Sequence, residues 1–133
     1  AEDIVRSLKY PEQICPQRAD DFYALHSAAW DTDCQLTDFF TLHKVEADFT
    51  ACQFGDGYDV IYFDAFAPEK QPEMWSQELF DLLYASLNPG GILVTYCAKG
   101  VVRRMLQSSG FQMERLPGPP GGKREILRGT RID

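Results

Sequence analysis

The sequence predicts a three-layer α/β domain, in which helices cover a sheet that carries an antiparallel hairpin at one edge. Two almost continuously apolar runs, residues 58–63 and 92–97, are typical of strands buried on both faces of such a sheet. Apolar residues at helical spacing separate and follow these runs, as expected where strands and helices alternate. A length of 133 residues, 44% of them hydrophobic, suits one domain with its own core.

The first half of the chain is predicted to contain a strand, a helix and a second strand. Residues 4–8 form a short β-like run that ends before Pro11. Residues 17–30 carry apolar side chains at helical spacing, with acids early in the run, where they suit the helix dipole. Residues 39–45 have the alternating and aromatic character of a strand.

The second half is predicted to alternate helices with strands and to end in a hairpin. Residues 77–87 place apolar side chains on one helix face, and an Asn-Pro-Gly-Gly run at 88–91 ends that helix. Residues 101–109 form a short helix that is closed by a glycine. A loop rich in proline and glycine then joins the predicted strands 111–116 and 125–131, which gives the antiparallel hairpin.

The composition excludes several classes of protein. No stretch approaches the roughly 20 apolar residues that cross a bilayer, and the first residues lack the basic start and apolar run of a secretory signal. We therefore expect a soluble, cytoplasmic protein with no membrane partner. The four cysteines form no C-x-x-C pair and only two histidines are present, so no metal site is predicted.

Charge is unevenly distributed along the chain. The formal net charge is -7, yet residues 99–133 hold eight basic and three acidic residues, which is +5, while residues 1–98 carry -12. A basic tract of this kind can contact phosphates although the whole protein is acidic. Charge alone is equally compatible with an ordinary solvated surface.

Asp64 is the first candidate for chemistry. It directly follows the apolar run 58–63, and in open α/β sheets ligands bind beyond the carboxyl ends of the strands. Its carboxylate is therefore predicted to lie in the mouth of a cleft that Phe66 walls and Pro68 stiffens. One alternative is an acid that caps the next helix. Another is a hydrolase nucleophile or metal ligand, which lacks a second carboxylate pair or a strand-end histidine nearby.

The segment DAFAPEKQPEMW at 64–75 resembles the D-x-F-[AS]-P-x-K-x-P-[DE]-M-W signature of the MnmC-like methyltransferase domain. This family methylates an aminomethyl group on the wobble uridine of certain tRNAs. The similarity continues in order and without large gaps over roughly residues 37–130. It implies a class I, Rossmann-like methyltransferase fold and S-adenosylmethionine as the methyl donor.

The resemblance also implies roles for individual residues. Asp48 falls where the family has an acid beside the adenine of the donor, although an ordinary surface acid after a strand is the alternative. Asp64 and Ala65 fall in the cleft between donor and acceptor. Because a primary amine with a pKa near 10.4 is mostly ammonium at neutral pH, it needs a partner that orients its lone pair or takes its proton. Asp64 is the expected partner.

Contacts to the RNA are expected from aromatic and basic side chains. Phe66 and Trp75 are candidates for stacking on the flipped uridine, with a core position as the alternative for both, and Pro68 belongs to the same acceptor-side loop. Arginines early in a helix are not favoured by the helix dipole, so an external anion explains them better than helix stability does. The candidate phosphate contacts are Lys70, Arg103, Arg104, Lys123 and Arg124.

The sequence departs from the family at its start. The family's first strand, its glycine-rich loop and the acid for the ribose hydroxyls are not found, and Leu8 stands where that acid is expected. Residues 1–133 are therefore interpreted as one partial methyltransferase domain, from the second strand to the C-terminus. The missing strand lies centrally in the family's sheet, so its place must be filled in one of three ways. Residues 4–8 pair with residues 58–63, a second copy of the chain supplies a strand, or a longer protein contains the missing strand.

Two further expectations concern function and partners. A non-catalytic RNA-binding or oligomerisation remnant of the fold is the alternative to an active enzyme. The family also includes proteins fused to a flavin-dependent oxidoreductase that prepares the amine, although no flavin motif occurs in these 133 residues. tRNA, such an oxidoreductase outside this chain, and a second copy of the chain are the expected partners.

Overall fold

The computed structural model describes residues 2–133, which form two compact units that divide between Ala47 and Asp48. The first unit contains three short helices, one 3₁₀ turn and one hairpin. These elements are α1 (Glu2–Leu8), α2 (Tyr10–Ile14), the turn Pro16–Arg18, α3 (Ala19–Ser27), β1 (Asp33–Thr37) and β2 (Phe40–His43).

Helix α1 overturns the strand predicted at residues 4–8. Two acids open the helix, where they favour its dipole, and the Arg6 guanidinium bonds the Glu2 carboxylate one turn earlier at 3.1 Å. These polar contacts favour a helix in a segment whose β-branched residues alone favour a strand. The predicted pairing of residues 4–8 with residues 58–63 is therefore wrong.

The other predictions for the first unit are confirmed in shortened form. Helix α3 lies inside the predicted range 17–30, and β2 lies inside 39–45. The strand that pairs with β2, antiparallel β1, was not predicted because its sequence DCQLT is mostly polar. A hydrogen bond joins Asp33 and His43 across the hairpin, at 2.7 Å between Oδ1 and Nδ1.

The second unit, Asp48–Asp133, contains the four-stranded sheet and two helices. Its order is β3-β4-β6-β5, with β3 and β4 parallel and the other two pairs antiparallel. The predicted alternation and the edge hairpin are both confirmed. The elements are β3 (Tyr58–Phe63), a 3₁₀ turn (Pro72–Met74), α4 (Gln77–Ser86), β4 (Leu87–Thr95), α5 (Gly100–Ser109), β5 (Gln112–Pro117) and β6 (Glu125–Thr130).

Both helices of this unit pack into one core with the sheet. Ser76 caps α4 by accepting a hydrogen bond from the Leu79 amide at 3.2 Å, and Gly110 ends α5 with a φ of 113°. Burial of large aliphatic and aromatic side chains on this face is the main stabilising contribution. The core consists of Phe63, Trp75, Leu79, Phe80, Leu83, Leu87, Leu93, Val102, Leu106, Phe111 and Leu127.

Strand β3 has the predicted bounds but not the predicted burial. Phe63 lies in the core, whereas the neighbouring Tyr62 side chain is 82% exposed and Tyr58 and Val60 are also exposed. Strand β3 is also an edge strand, because β4 is its only neighbour in the described sheet. The expectation of burial on both faces is therefore wrong for β3.

Strand β4 is longer than predicted. It begins at Leu87 and includes the Asn-Pro-Gly-Gly run, with Gly90 at a φ of 83°. The Gly90 amide donates a hydrogen bond to the carbonyl of Arg131, near the end of the chain, at 2.6 Å. No helix among residues 2–133 is long and apolar enough to cross a membrane.

Candidate active site

The parallel pairing of β3 with β4 determines where the candidate site forms. Phe63 and Thr95 are paired residues at the ends of these strands, so the residues that follow them, Asp64 and Tyr96, lie at the same edge of the sheet. Parallel strands lie about 4.8 Å apart. The loops beyond them diverge and leave two cavities.

The two cavities share Phe63, Asp64 and Ala65. The first, here called the apolar cavity, has a volume of about 590 Å³. Its remaining lining is Phe49, Tyr62, Phe66, Gln71 and Met74. The second, called the basic cavity, has a volume of about 260 Å³ and is lined, among others, by Trp75, Tyr96, Lys99 and Lys123.

Asp64 is exposed at the junction of the cavities. Among residues 2–133, no side chain or amide forms a hydrogen bond with its carboxylate. Helix α4 is capped by Ser76 instead, so Asp64 does not act as its cap. The carboxylate is thus available to a ligand in either cavity.

Local hydrogen bonds hold the loop between β3 and α4. Trp75 donates its indole N–H to the Phe66 carbonyl at 2.8 Å, and the Phe66 amide donates to Gln71 Oε1 at 3.3 Å. The Gln71 amide donates to the Ala67 carbonyl at 3.0 Å. These contacts fix the path of the loop that begins with Asp64.

The structure separates the aromatic side chains of this loop. Trp75 is only 7% exposed, and its ring meets Phe63 and Phe80 edge to face, which favours the core position that the sequence left open. Phe66 is 73% exposed and lines the apolar cavity. Pro68 lines the basic cavity.

Asp48 lies outside both cavity linings. Its Oδ1 accepts hydrogen bonds from the Thr50 hydroxyl at 2.7 Å and the Thr50 amide at 2.9 Å, and these bonds lower the pKa of the Asp48 carboxyl. The next residue, Phe49, does line the apolar cavity. Asp48 therefore shapes the turn that carries Phe49.

Of the five basic residues singled out in the sequence, Lys123 alone lines the basic cavity. Arg103 and Arg104 lie on α5, Lys70 lies in the loop after β3, and Arg124 follows Lys123. Within the described chain, Arg103 Nε is buried without a hydrogen-bond partner. Of these five residues, only Lys123 therefore lines a cavity together with Asp64.

Sequence reasoning missed Tyr96 and Lys99. Both line the basic cavity, and Lys99 is ion-paired with Glu69 of the loop after β3. Lys99 follows the predicted strand 92–97, whereas Tyr96 lies inside that predicted strand and follows β4 only because β4 ends at Thr95. Only the parallel pairing and its register place the two strand ends side by side.

The fold of the second unit is that of class I S-adenosylmethionine-dependent methyltransferases. MNMC2 from Aquifex aeolicus has a crystal structure that matches 65% of this chain and 30% of its own, with 26% identity and a TM-score of 0.56. A methyltransferase from Pyrococcus furiosus matches 60% of this chain and 44% of its own, with 20% identity and a TM-score of 0.50. The predicted fold class is confirmed.

The chain belongs to a family described as S-adenosyl-L-methionine-dependent methyltransferases, whose sequence profile matches residues 13–132. S-adenosylmethionine is the methyl donor of this family. The membership confirms the expected class of enzyme and donor.

Curated relatives carry the same resemblance. The tRNA 5-methylaminomethyl-2-thiouridine biosynthesis bifunctional protein MnmC of Pseudomonas savastanoi pv. phaseolicola is 38% identical over 98% of this chain and 20% of its own length. The protein of that name from Aeromonas salmonicida is 47% identical over 56% of this chain and 11% of its own. The matched part thus spans about a fifth or less of these relatives, and the MnmC-like resemblance is confirmed.

The indole contact of Trp75 generates a stability prediction. We expect Trp75→Phe to lower the free energy of unfolding by about 1 to 3 kcal/mol, because it removes the bond to the Phe66 carbonyl and leaves a small cavity. Urea unfolding measures the change. The control is Trp30→Phe in the first unit, where the side chain is 53% exposed and the loss should be smaller. Equal losses for the two variants would contradict the role given to Trp75.

Proposed function

We propose that this protein transfers a methyl group from S-adenosylmethionine to the aminomethyl nitrogen of a tRNA wobble uridine. The observation that carries the proposal is the Asp64 carboxylate, free of protein partners in the described structure, at the junction of an apolar and a basic cavity. The printed names of the relatives, which concern 5-methylaminomethyl-2-thiouridine biosynthesis in tRNA, support the choice of acceptor.

The apolar cavity suits the donor. Phe49 and Phe66 present aromatic surface to a purine, and Met74 adds a polarisable side chain. Asp64 and Ala65 lie where this cavity meets the basic one, and Asp48 supports the turn that carries Phe49. Bound there, S-adenosylmethionine supplies an electrophilic methyl group on a positively charged sulfur.

Asp64 prepares the acceptor for attack. An ammonium group has no lone pair, and at neutral pH a primary amine is almost entirely in that form. A carboxylate within hydrogen-bond distance receives or relays one proton from the ammonium and orients the neutral nitrogen. The nitrogen lone pair then forms the bond to the methyl carbon as the carbon–sulfur bond breaks, and its electron pair stays on the sulfur of the departing S-adenosylhomocysteine. The rest of the acceleration comes from holding nitrogen, carbon and sulfur in line.

The basic residues suit an RNA partner. Lys123 lies at the basic cavity, and Arg103 lies in the first turn of α5. Lys70, Arg104 and Arg124 extend the set of phosphate contacts that we propose. Phe66, the exposed aromatic of the loop, and Pro68, which lines the basic cavity, remain proposed contacts of the bound substrates, whereas Trp75, expected from the sequence as a further contact, supports the loop from the core.

The proposal also concerns the domain to which the chain belongs, its compartment and a partner enzyme. We infer that residues 1–133 are part of one methyltransferase domain, that the protein acts in the cytoplasm, and that a flavin-dependent oxidoreductase, fused or separate, prepares its amine substrate. The word "bifunctional" in the names of the relatives supports a second activity in those proteins.

The unpaired edge of β3 leads us to propose self-association of the isolated 133-residue chain. Strand β3 has one neighbour in the described sheet and carries exposed Tyr58, Val60 and Tyr62, so a second copy can pair with it. Light scattering should report a dimer. Asp59→Pro, which removes a backbone donor from this strand, should shift the mass towards the monomer, and a monodisperse wild-type monomer would contradict the proposal.

Donor binding tests the proposed reaction. S-adenosylmethionine is titrated calorimetrically into the 133-residue chain and into the same protein extended at its N-terminus. We expect the extended form to bind. Binding by neither form would refute donor use and favour the non-catalytic RNA-binding alternative, while binding by the longer form alone would support the partial-domain proposal.

Substitution of Asp64 tests its role in catalysis. We expect Asp64→Asn to lower kcat for methyl transfer by about 10² to 10⁴, because the amide cannot accept the proton, while donor affinity changes little. The deficit should shrink as pH rises towards the amine pKa, near 10, since more acceptor is already neutral. Asp56→Asn, in an exposed turn, is the control. A loss that is independent of pH would contradict proton acceptance.

A further inference from the structure

We propose that Tyr96 is the stacking platform for the acceptor base, with Lys123 contacting a phosphate of the same nucleotide. This inference rests on the proposed function and assigns a substrate contact to the basic cavity. The two residues reach that cavity from different parts of the fold, Tyr96 after β4 and Lys123 from the loop between β5 and β6.

The position of Tyr96 follows from strand register. It directly follows Thr95, whose partner on β3 is Phe63, and Asp64 directly follows Phe63. Both Tyr96 and Asp64 line the basic cavity. A base stacked on Tyr96 would therefore carry its aminomethyl group close to the Asp64 carboxylate, which hydrogen-bonds the amine and accepts its proton in the proposed reaction.

The ring of Tyr96 is free to stack. It is 55% exposed, and among residues 2–133 it forms no aromatic pair, no cation–π contact and no hydrogen bond through its hydroxyl. The other aromatic candidates differ from it. Trp75 is enclosed by Phe63 and Phe80, and Phe66 lines the apolar cavity.

Lys123 is held at the cavity by its hairpin. The Gly118 amide donates to the Arg124 carbonyl at 2.9 Å, and a Cβ on Gly118 would lie 1.6 Å from the Lys123 carbonyl oxygen. Only glycine permits this close approach of two backbone segments. Lys123 has no ion-pair partner in the described chain, whereas Lys99 at the same cavity is neutralised by Glu69. A phosphate is the anion that a nucleotide offers there.

The experiment removes the wobble base from the RNA and, in separate variants, the aromatic ring from Tyr96. The protein, in the N-terminally extended form, is titrated with two labelled anticodon hairpins, one with uridine at the wobble position and one with an abasic nucleotide there. Fluorescence anisotropy without methyl donor gives the ratio of the two Kd values. For the wild-type protein we expect the uridine hairpin to bind about tenfold more tightly, the effect of one stacked base.

Substitutions at Tyr96 test whether this ratio of Kd values depends on its aromatic ring. Tyr96→Phe should keep it, because the ring remains, whereas Tyr96→Ala and Tyr96→Leu should reduce it to about one. Leucine retains apolar bulk without an aromatic face, so it separates stacking from packing. Tyr10→Ala, which removes a tyrosine of similar exposure from the first unit, is the matched control and should leave the ratio unchanged.

Several outcomes would overturn the assignment. They are a wild-type ratio of one, a ratio that persists in Tyr96→Ala and Tyr96→Leu, or a ratio lost in Phe66→Ala but kept in both Tyr96 variants. The ratio requires no donor, so failure of methyl transfer with an intact, Tyr96-dependent ratio would count against the proposed reaction alone. Normal methyl transfer with no Tyr96 dependence would count against this inference alone.

A separate experiment tests the proposed phosphate contact of Lys123. A small acceptor, 5-aminomethyluridine, is offered with and without a 5′-phosphate, and KM for methyl transfer is measured for each. Lys123→Ala should remove the advantage of the phosphate, while Arg115→Ala, an exposed basic residue of β5 outside the cavity lining, should retain it. Equal behaviour of the two variants would refute the phosphate contact.

Discussion

The parallel pairing of β3 with β4 is the constraint on which the candidate site depends. It aligns Phe63 with Thr95, so the chain leaves both strands at one edge and exposes Asp64 beside Tyr96. A parallel arrangement needs a long connection between the strands, and here the loop 64–75 and helix α4 provide it. The same connection supplies much of the lining of both cavities.

Packing under the sheet makes this edge stiff. Phe63, the last residue of β3, is enclosed by Trp75 and Phe80, and Trp75 also holds the loop through its indole N–H. One buried cluster therefore fixes the strand end and the loop that leaves it. This packing fixes the backbone from which Asp64 projects, exposed and without a hydrogen-bond partner for its carboxylate among residues 2–133.

The two cavities differ in chemistry because different segments complete their linings beyond the shared Phe63, Asp64 and Ala65. The apolar cavity is bounded by the loop around Phe49 and by Phe66, whereas the hairpin between β5 and β6 brings Lys123 to the basic cavity. The proposed methyl transfer brings together a partly apolar, cationic donor and an RNA nucleotide. It therefore needs an apolar and a basic environment next to each other. Asp64 lies where they meet.

The sequence by itself determined the order and type of most elements and the position of Asp64. Periodicity was sufficient for α4, α5 and β3, because their apolar patterns are strong and local. It failed at α1, where the dipole and the Glu2–Arg6 pair outweigh β-branched residues, and at β1, whose polar strand is formed only by its partner. Motif similarity, rather than periodicity, gave the family.

Only the tertiary structure decided which side chains share a site. Trp75 and Phe66 are nine residues apart in one motif, yet one ring is buried and the other is exposed in the apolar cavity. Tyr96 and Lys123 stand far from Asp64 in sequence and line a cavity with it. The physical reason is that a sequence pattern specifies local conformation, whereas strand register and hairpin geometry, which join distant segments, specify neighbours.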